Sequence, residues 1–179
     1  QVGVRRPGTL GAADLVNTGS VTIGAGAVVS ATRSTTLDAT QTLTNAGALR
    51  PGRSLAIGAP RINLGNNAPV NEGLTLAGEN LTRLYSAGSA VDSLILRSYT
   101  SIDLYNDVDV TGSIREIGLE APQIRGLTDA GSTTTLRAGS FTIGNASGTD
   151  YRDLSGSSVS GRNLALDATD SVRLGRGNV

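Results

Sequence analysis

The stretch Leu55-Ala-Ile57-Gly-Ala-Pro-Arg-Ile62-Asn-Leu64-Gly65 holds two apolar doublets, Leu55/Ile57 and Ile62/Leu64, joined by small residues and a proline. A spacing of two sends both side chains of a doublet to one face of an extended strand, while the residue between them points the other way. The arrangement returns as Ile117-x-Leu119-Glu-Ala-Pro-x-Ile124 and as Leu164-x-Leu166-Asp-Ala-Thr-x-x-Val172-x-Leu174-Gly. A short pattern that recurs about every twenty residues is the mark of a solenoid, in which each unit buries its apolar face against the next.

Anchored on the start of the second doublet, the repeat predicts rungs at Leu43, Ile62, Leu81, Ile102, Ile124 and Phe141, with steps of 19, 19, 21, 22 and 17 residues. An earlier rung fits Val21 and Ile23, and the interval from Phe141 to Val172 leaves room for a degenerate one near Leu154 and Val159. No stretch carries a sustained i, i+3, i+4 apolar stripe. The expectation is an all-β chain, a parallel β-helix of about eight coils of roughly 20 residues each, forming a single segment over residues 1–179. Leu64, Leu104 and Ile143 are expected to point into its aliphatic core.

Composition agrees by what it omits. Aromatic residues make up 3% of the chain, and Trp, Met, Cys and His are absent. Stacks of like aliphatic side chains suit a narrow β-helix, and large rings rarely fit at every level. The 24 glycines and the many Asn, Asp, Ser and Thr fall between doublets, where each coil has to turn. Fifteen Arg balance fifteen acidic residues and Lys is absent, so the concentrated positive charge that a nucleic-acid or anionic-membrane surface requires is missing. No apolar run approaches a membrane span, and Gln1-Val-Gly-Val-Arg-Arg6 lacks the apolar core of a signal peptide. Because the chain begins without Met and enters the repeat in mid-pattern, it is expected to be an internal piece of a larger protein.

Without His or Cys there is no imidazole base, no thiolate nucleophile and neither of the usual transition-metal ligands, so no metal or other cofactor is expected. The densest acidic cluster is Asp103, Asp107 and Asp109. Asp103 and Asp109 alternate with apolar residues, which places them on a solvated outer strand face and makes Asp103→Leu a nearly silent change. Gly24-Ala-Gly26 lacks the following Gly-Lys-Ser/Thr of a phosphate loop and reads as a turn. The nonapeptide of calcium-binding β-rolls is missing, and there is no Arg-Gly-Asp tripeptide. Asn80-Leu-Thr82 and Asn145-Ala-Ser147 match an N-glycosylation acceptor, a frequent chance pattern. Tyr85, Tyr99, Tyr105 and Tyr151 are too scattered for a sugar-stacking platform and read as half-exposed covers over coil edges.

The segment Leu94-Ile-Leu-Arg-Ser-Tyr-Thr-Ser-Ile-Asp-Leu-Tyr105, with Leu119-Glu-Ala-Pro-Gln-Ile-Arg-Gly-Leu127 and Ser20-Val-Thr-Ile-Gly-Ala-Gly-Ala-Val-Val-Ser30, resembles the repeats of the filamentous haemagglutinin family. These are large exoproteins of Gram-negative bacteria exported by two-partner secretion. The Asn-containing motifs of that family's amino-terminal secretion domain are not recognised, so the chain resembles a piece of the shaft or of a later repeat region. The resemblance implies a right-handed parallel β-helix, secreted or displayed at the cell surface as a structural shaft or adhesin segment. Its implied partners are the outer-membrane transporter during export and a host-cell receptor or glycan, with no catalytic residue. The absence of Cys fits that route, because a disulfide formed in the periplasm would obstruct threading of an unfolded chain. Lateral segments at Gly65–Gly73 and Thr128–Thr135 are plain connections or receptor contacts.

Two further readings use the same architecture. One is the shaft of a contact-dependent growth inhibition exoprotein that delivers a carboxy-terminal toxin. The other is a β-helical polysaccharide lyase or hydrolase, for which Asp103 and Glu120 are the nearest acid-base candidates and Arg97, Arg125 and Arg137 the cationic ones. Neither terminus carries an amphipathic capping helix, so end-to-end association, or fraying outside about Ser54 to Ile143, is expected.

Overall fold

The structure, a computed structural model, describes residues 19–65, 73–76, 91–105, 109–110, 114–127, 131, 133–145 and 163–175. Among these residues there is no helix, and every strand pairing is parallel. The strands are β1 (Val21–Ile23), β2 (Val28–Ser30), β3 (Ser34–Asp38), β4 (Leu43–Asn45), β5 (Ala48–Arg50), β6 (Ser54–Leu64) and β7 (Leu74–Leu76). They continue as β8 (Ser93–Leu104), β9 (Asp109–Val110), β10 (Glu116–Glu120), β11 (Ile124–Gly126), β12 (Thr133–Gly144) and β13 (Asn163–Leu174).

The apolar doublets set the register. In the first row of the main sheet, Leu55, Leu94, Ile117, Phe141 and Val172 lie opposite one another on successive strands, as do Leu37, Ile57, Leu96, Leu119, Ile143 and Leu174. A second row stacks Leu74, Ile62, Ile102 and Ile124. A third stacks Val110, Leu136 and Leu166. A slip of one residue would turn every doublet outward, so burial of one face fixes this alignment. Leu55, Ile62, Leu64, Leu94, Leu96, Ile102, Ile117, Leu119 and Phe141 are almost completely buried. Leu64 and Leu104 take the predicted inward positions, and Ile143 is partly buried against the same core.

The long strands bend from one row to the next where the sequence places its small-residue step. β6 and β8 each span the first two rows, and their register shifts between Ala59 and Arg61. β12 and β13 span the third row and the first, with a shift between Ala138 and Ser140. Only small side chains fit inside such a bend, and Ala59 and Ser98, directly opposite each other there, are fully buried. The Ser98 and Thr100 hydroxyls both donate to the Pro60 carbonyl, at 2.9 and 2.6 Å. They satisfy an acceptor that the interrupted ladder leaves over.

Several expectations about the repeat require correction. β6 pairs directly with β8, Ile62 opposite Ile102, which leaves no place between them for the rung predicted at Leu81. The intervening sequence instead supplies β7, which pairs with the Ile62–Leu64 portion of β6. The chain closes in tightly on that side: at Gly73, with φ of 81°, a Cβ would run into the Arg61 carbonyl. Leu81 itself, and the degenerate rung near Leu154 and Val159, lie outside the described residues. Phe141 and Val172, grouped by sequence with Ile62, Ile102 and Ile124, stand instead in the row of Leu55 and Ile117. Uniform coils of roughly 20 residues give way to paired positions 20 residues apart at Ser34 and Ser54, but 39 apart at Ser54 and Ser93.

Candidate functional site

The chemistry-bearing side chains fall on the outward positions between the doublets, and the parallel register aligns them in columns. In the first row, Asp38, Gly58, Arg97, Glu120 and Gly144 are successive partners. Arg97 Nε donates to Glu120 Oε2 at 2.6 Å in a half-buried pair. Gly58 leaves room for its neighbour, since a Cβ there would collide with the Asp38 carboxylate. That carboxylate accepts the Tyr99 hydroxyl at 2.6 Å, so a side chain of β3 is tied to one of β8 across the bare backbone of β6. Burial first, and then the Asp38 hydrogen bond and charge, push the Tyr99 phenol well above its usual range.

In the second row, Asn63, Asp103 and Arg125 are successive partners, with Arg61 and Ser101 directly opposite each other two positions earlier. Arg125 grips Asp103 with both ends of its fork, Nε to Oδ1 at 2.8 Å and Nη2 to Oδ2 at 2.6 Å. Arg61 Nε stands 3.5 Å from Asp103 Oδ2. Asp103 is 0% exposed and Arg125 3%, so both faces of this row are buried. In the third row Arg137 faces Asp167 at 3.2 Å, and at a bend Arg53 meets Asp92 at 2.7 Å. Three of these ion pairs, Arg97 with Glu120, Asp103 with Arg125 and Arg137 with Asp167, lie at directly opposed register positions on adjacent strands. Opposite charges so placed favour the register, and like charges would oppose it.

The expected solvated position of Asp103 is thus overturned. Alternation with apolar residues shows only that Asp103 faces away from Ile102 and Leu104; that second face is also covered, which a one-sided period cannot reveal. The structure does not bring the candidate acids together as a free pair: Asp103 is committed to Arg125 in the second row, and Glu120 to Arg97 in the first. Asp109 lies in β9, opposite Thr135, and Asp107 lies outside the described residues. Tyr99 and Tyr105 are buried rather than half-exposed; Tyr85 and Tyr151 lie outside the described residues. Of the two lateral segments, residues 66–72 and 128–130 lie outside the described residues, and Thr133–Thr135 belongs to β12.

The sequence reading missed Asp38 and Asn63. Asp38 was legible in Leu37-Asp-Ala-Thr40, which matches Leu166-Asp-Ala-Thr169, but its tyrosine partner is 61 residues away. As chemistry, these columns neutralise charge and tie strands together; Asp103 has no surface from which to exchange a proton with solvent. Among the described residues no group of three or more acidic side chains is arranged to hold a metal ion. No protein-family model, curated protein or solved structure matches the chain.

Proposed function

We propose that the chain is a structural shaft segment of a large filamentous exoprotein of a Gram-negative bacterium, secreted or held at the cell surface and serving cell adhesion. In this reading the three rows are the faces of a right-handed parallel β-helix, the hand that parallel crossovers nearly always take. The observation that carries it is the continuous in-register stacking of inward aliphatic columns along one sheet, with one directly opposed ion pair in each of its three rows. Such stacking stiffens a rod along its axis and commits its charged side chains to neighbours rather than to a substrate. The filamentous haemagglutinin resemblance supplies the export route through an outer-membrane transporter and a host receptor or glycan as the surface partner. A shaft that carries a contact-dependent inhibition toxin would use the same segment.

The polysaccharide lyase or hydrolase reading is weaker on the same grounds. Its nearest acid, Asp103, is sealed and doubly held by Arg125.

The export reading is tested by fusing the chain behind the secretion domain of a two-partner exoprotein, in cells that carry the matching transporter. The fusion should reach the medium and resist protease there. A cysteine pair placed at the opposed positions Ser93 and Glu116 should arrest it in the periplasm until reductant is added. Retention of the cysteine-free fusion, or turnover of a polysaccharide that Asp103→Ala abolishes, would overturn the proposal.

A further inference from the structure

We propose that two copies of this chain bind side by side and antiparallel, through a charged ridge that runs along the bend ahead of the first row. Ser34, Ser54, Ser93, Glu116, Ser140 and Ser171 form one column of that row. The residues immediately before them are Arg33, Arg53, Asp92, Arg115, Gly139 and Asp170. Backbone bonds hold these in line: the Arg33 carbonyl accepts the N–H groups of Arg53 and Ser54, that of Arg53 those of Asp92 and Ser93, and that of Asp92 those of Arg115 and Glu116. The Arg115 carbonyl accepts from Ser140, and the Asp170 carboxylate lies over Gly139, where a Cβ would come within 3.1 Å of Oδ2. Arg33, Arg53, Arg115 and Asp170 are exposed and Asp92 partly so. Arg33 and Asp170, at the two ends of the ridge, take part in no ion pair among the described residues.

Along the axis the ridge is positive, positive, negative, positive, neutral and negative. Turned end for end against a second copy, it sets Arg33 against Asp170, Arg53 against Gly139 and Asp92 against Arg115. The same contacts repeat from the other side, because a twofold contact uses one surface twice. Opposite charges meet at four of the six rungs and like charges at none. A parallel alignment in register would set every charge against its own kind, which is unfavourable. Rungs are about 4.8 Å apart in both copies, so the match holds along the whole ridge. The flanking column adds little bulk: Ser34 meets Ser171, Ser54 meets Ser140 and Ser93 meets Glu116. This contact lies on the side of the stack, which coils before or after the segment leave open. Antiparallel is also the orientation in which shafts from two facing surfaces meet, so the ridge suits like-to-like adhesion between cells.

The pairing needs only the chain itself; its use between cells rests on the shaft reading, which the export experiment decides separately. Exposed ion pairs are individually weak, so the test presents many copies at once. Beads coated with the 179-residue chain should clump at low ionic strength and disperse as salt is raised. Arg33→Asp beads alone, and Asp170→Arg beads alone, should clump roughly tenfold less, since each variant puts like charges at both ends of the contact. Beads of the two variants mixed together should clump as wild type does, and so should beads whose chain carries both exchanges. Wild-type beads that stay dispersed, single variants that clump like wild type, or a mixture as weak as its components would overturn the proposal. If a reversal does not fold, Arg33→Gln and Asp170→Asn take its place. Each alone leaves both end contacts without a partner charge, and their mixture should restore one of the two.

Discussion

Asp103 and Arg125 face each other on β8 and β11 as a two-pronged ion pair at 2.8 and 2.6 Å, with almost no exposure of either. Removing one partner would strand the other charge in a place where water cannot reach it. Asp103→Leu is therefore expected to cost about 3–5 kcal/mol, and Asp103→Leu with Arg125→Leu to recover most of that loss. Urea unfolding of the three variants reads the coupling directly. Additive losses would mean that the pair is solvated.

The pair Arg53 and Asp92 has a contact of similar length, Nε to Oδ2 at 2.7 Å, but stands in solvent. Arg53→Ala should change stability by less than about 1 kcal/mol. A shift of the urea midpoint as large as that of Asp103→Leu would show that burial is not what separates the two pairs.

Leu104 is buried in the second row beside Asp103. Leu104→Asp would place an unpaired carboxyl in the aliphatic stack, with an expected loss of several kcal/mol, about as severe as Asp103→Leu although it comes from the opposite face. An unchanged thermal transition would show that the register of β8 is wrong.

Tyr99 ties pH to stability. Its folded pKa lies above the unfolded value of 10.0, raised by burial first and by the Asp38 hydrogen bond and charge next. The folded state therefore holds the phenolic proton more tightly, and its stabilising contribution is complete below about pH 10 and lost as pH rises beyond it. Tyr99→Phe should flatten the alkaline fall in unfolding free energy while lowering stability near neutrality by about 1.5–3 kcal/mol. An identical alkaline slope in wild type and variant would locate the titration elsewhere.

Gly58 is required by a side chain rather than by its own backbone. In Gly58→Ala the new Cβ would displace the Asp38 carboxylate and with it the Tyr99 hydrogen bond. The cost should be about 1–3 kcal/mol in the wild-type background and markedly smaller in Tyr99→Phe, since the bond is then already gone. Equal costs in both backgrounds would mean that the alanine disturbs β6 itself.

The spacing of two within each doublet, the small residues at the bends and the absence of any helical stripe determined strands, an aliphatic core and a stacked all-β chain. These features are local, because a strand's inward face is written in its own alternate residues. Which strand lies beside which was not written there. Leu37-Asp-Ala-Thr40 and Leu166-Asp-Ala-Thr169 are the same words, yet Asp38 stands opposite Gly58 in the first row and Asp167 opposite Arg137 in the third. A small-residue step marks that the chain turns but not which bend it makes, so Phe141 and Val172 were assigned to the wrong row. The sealed state of Asp103 was equally out of reach. Alternation reports that a residue faces away from its apolar neighbours, and only the tertiary structure decides whether that second face meets water or protein.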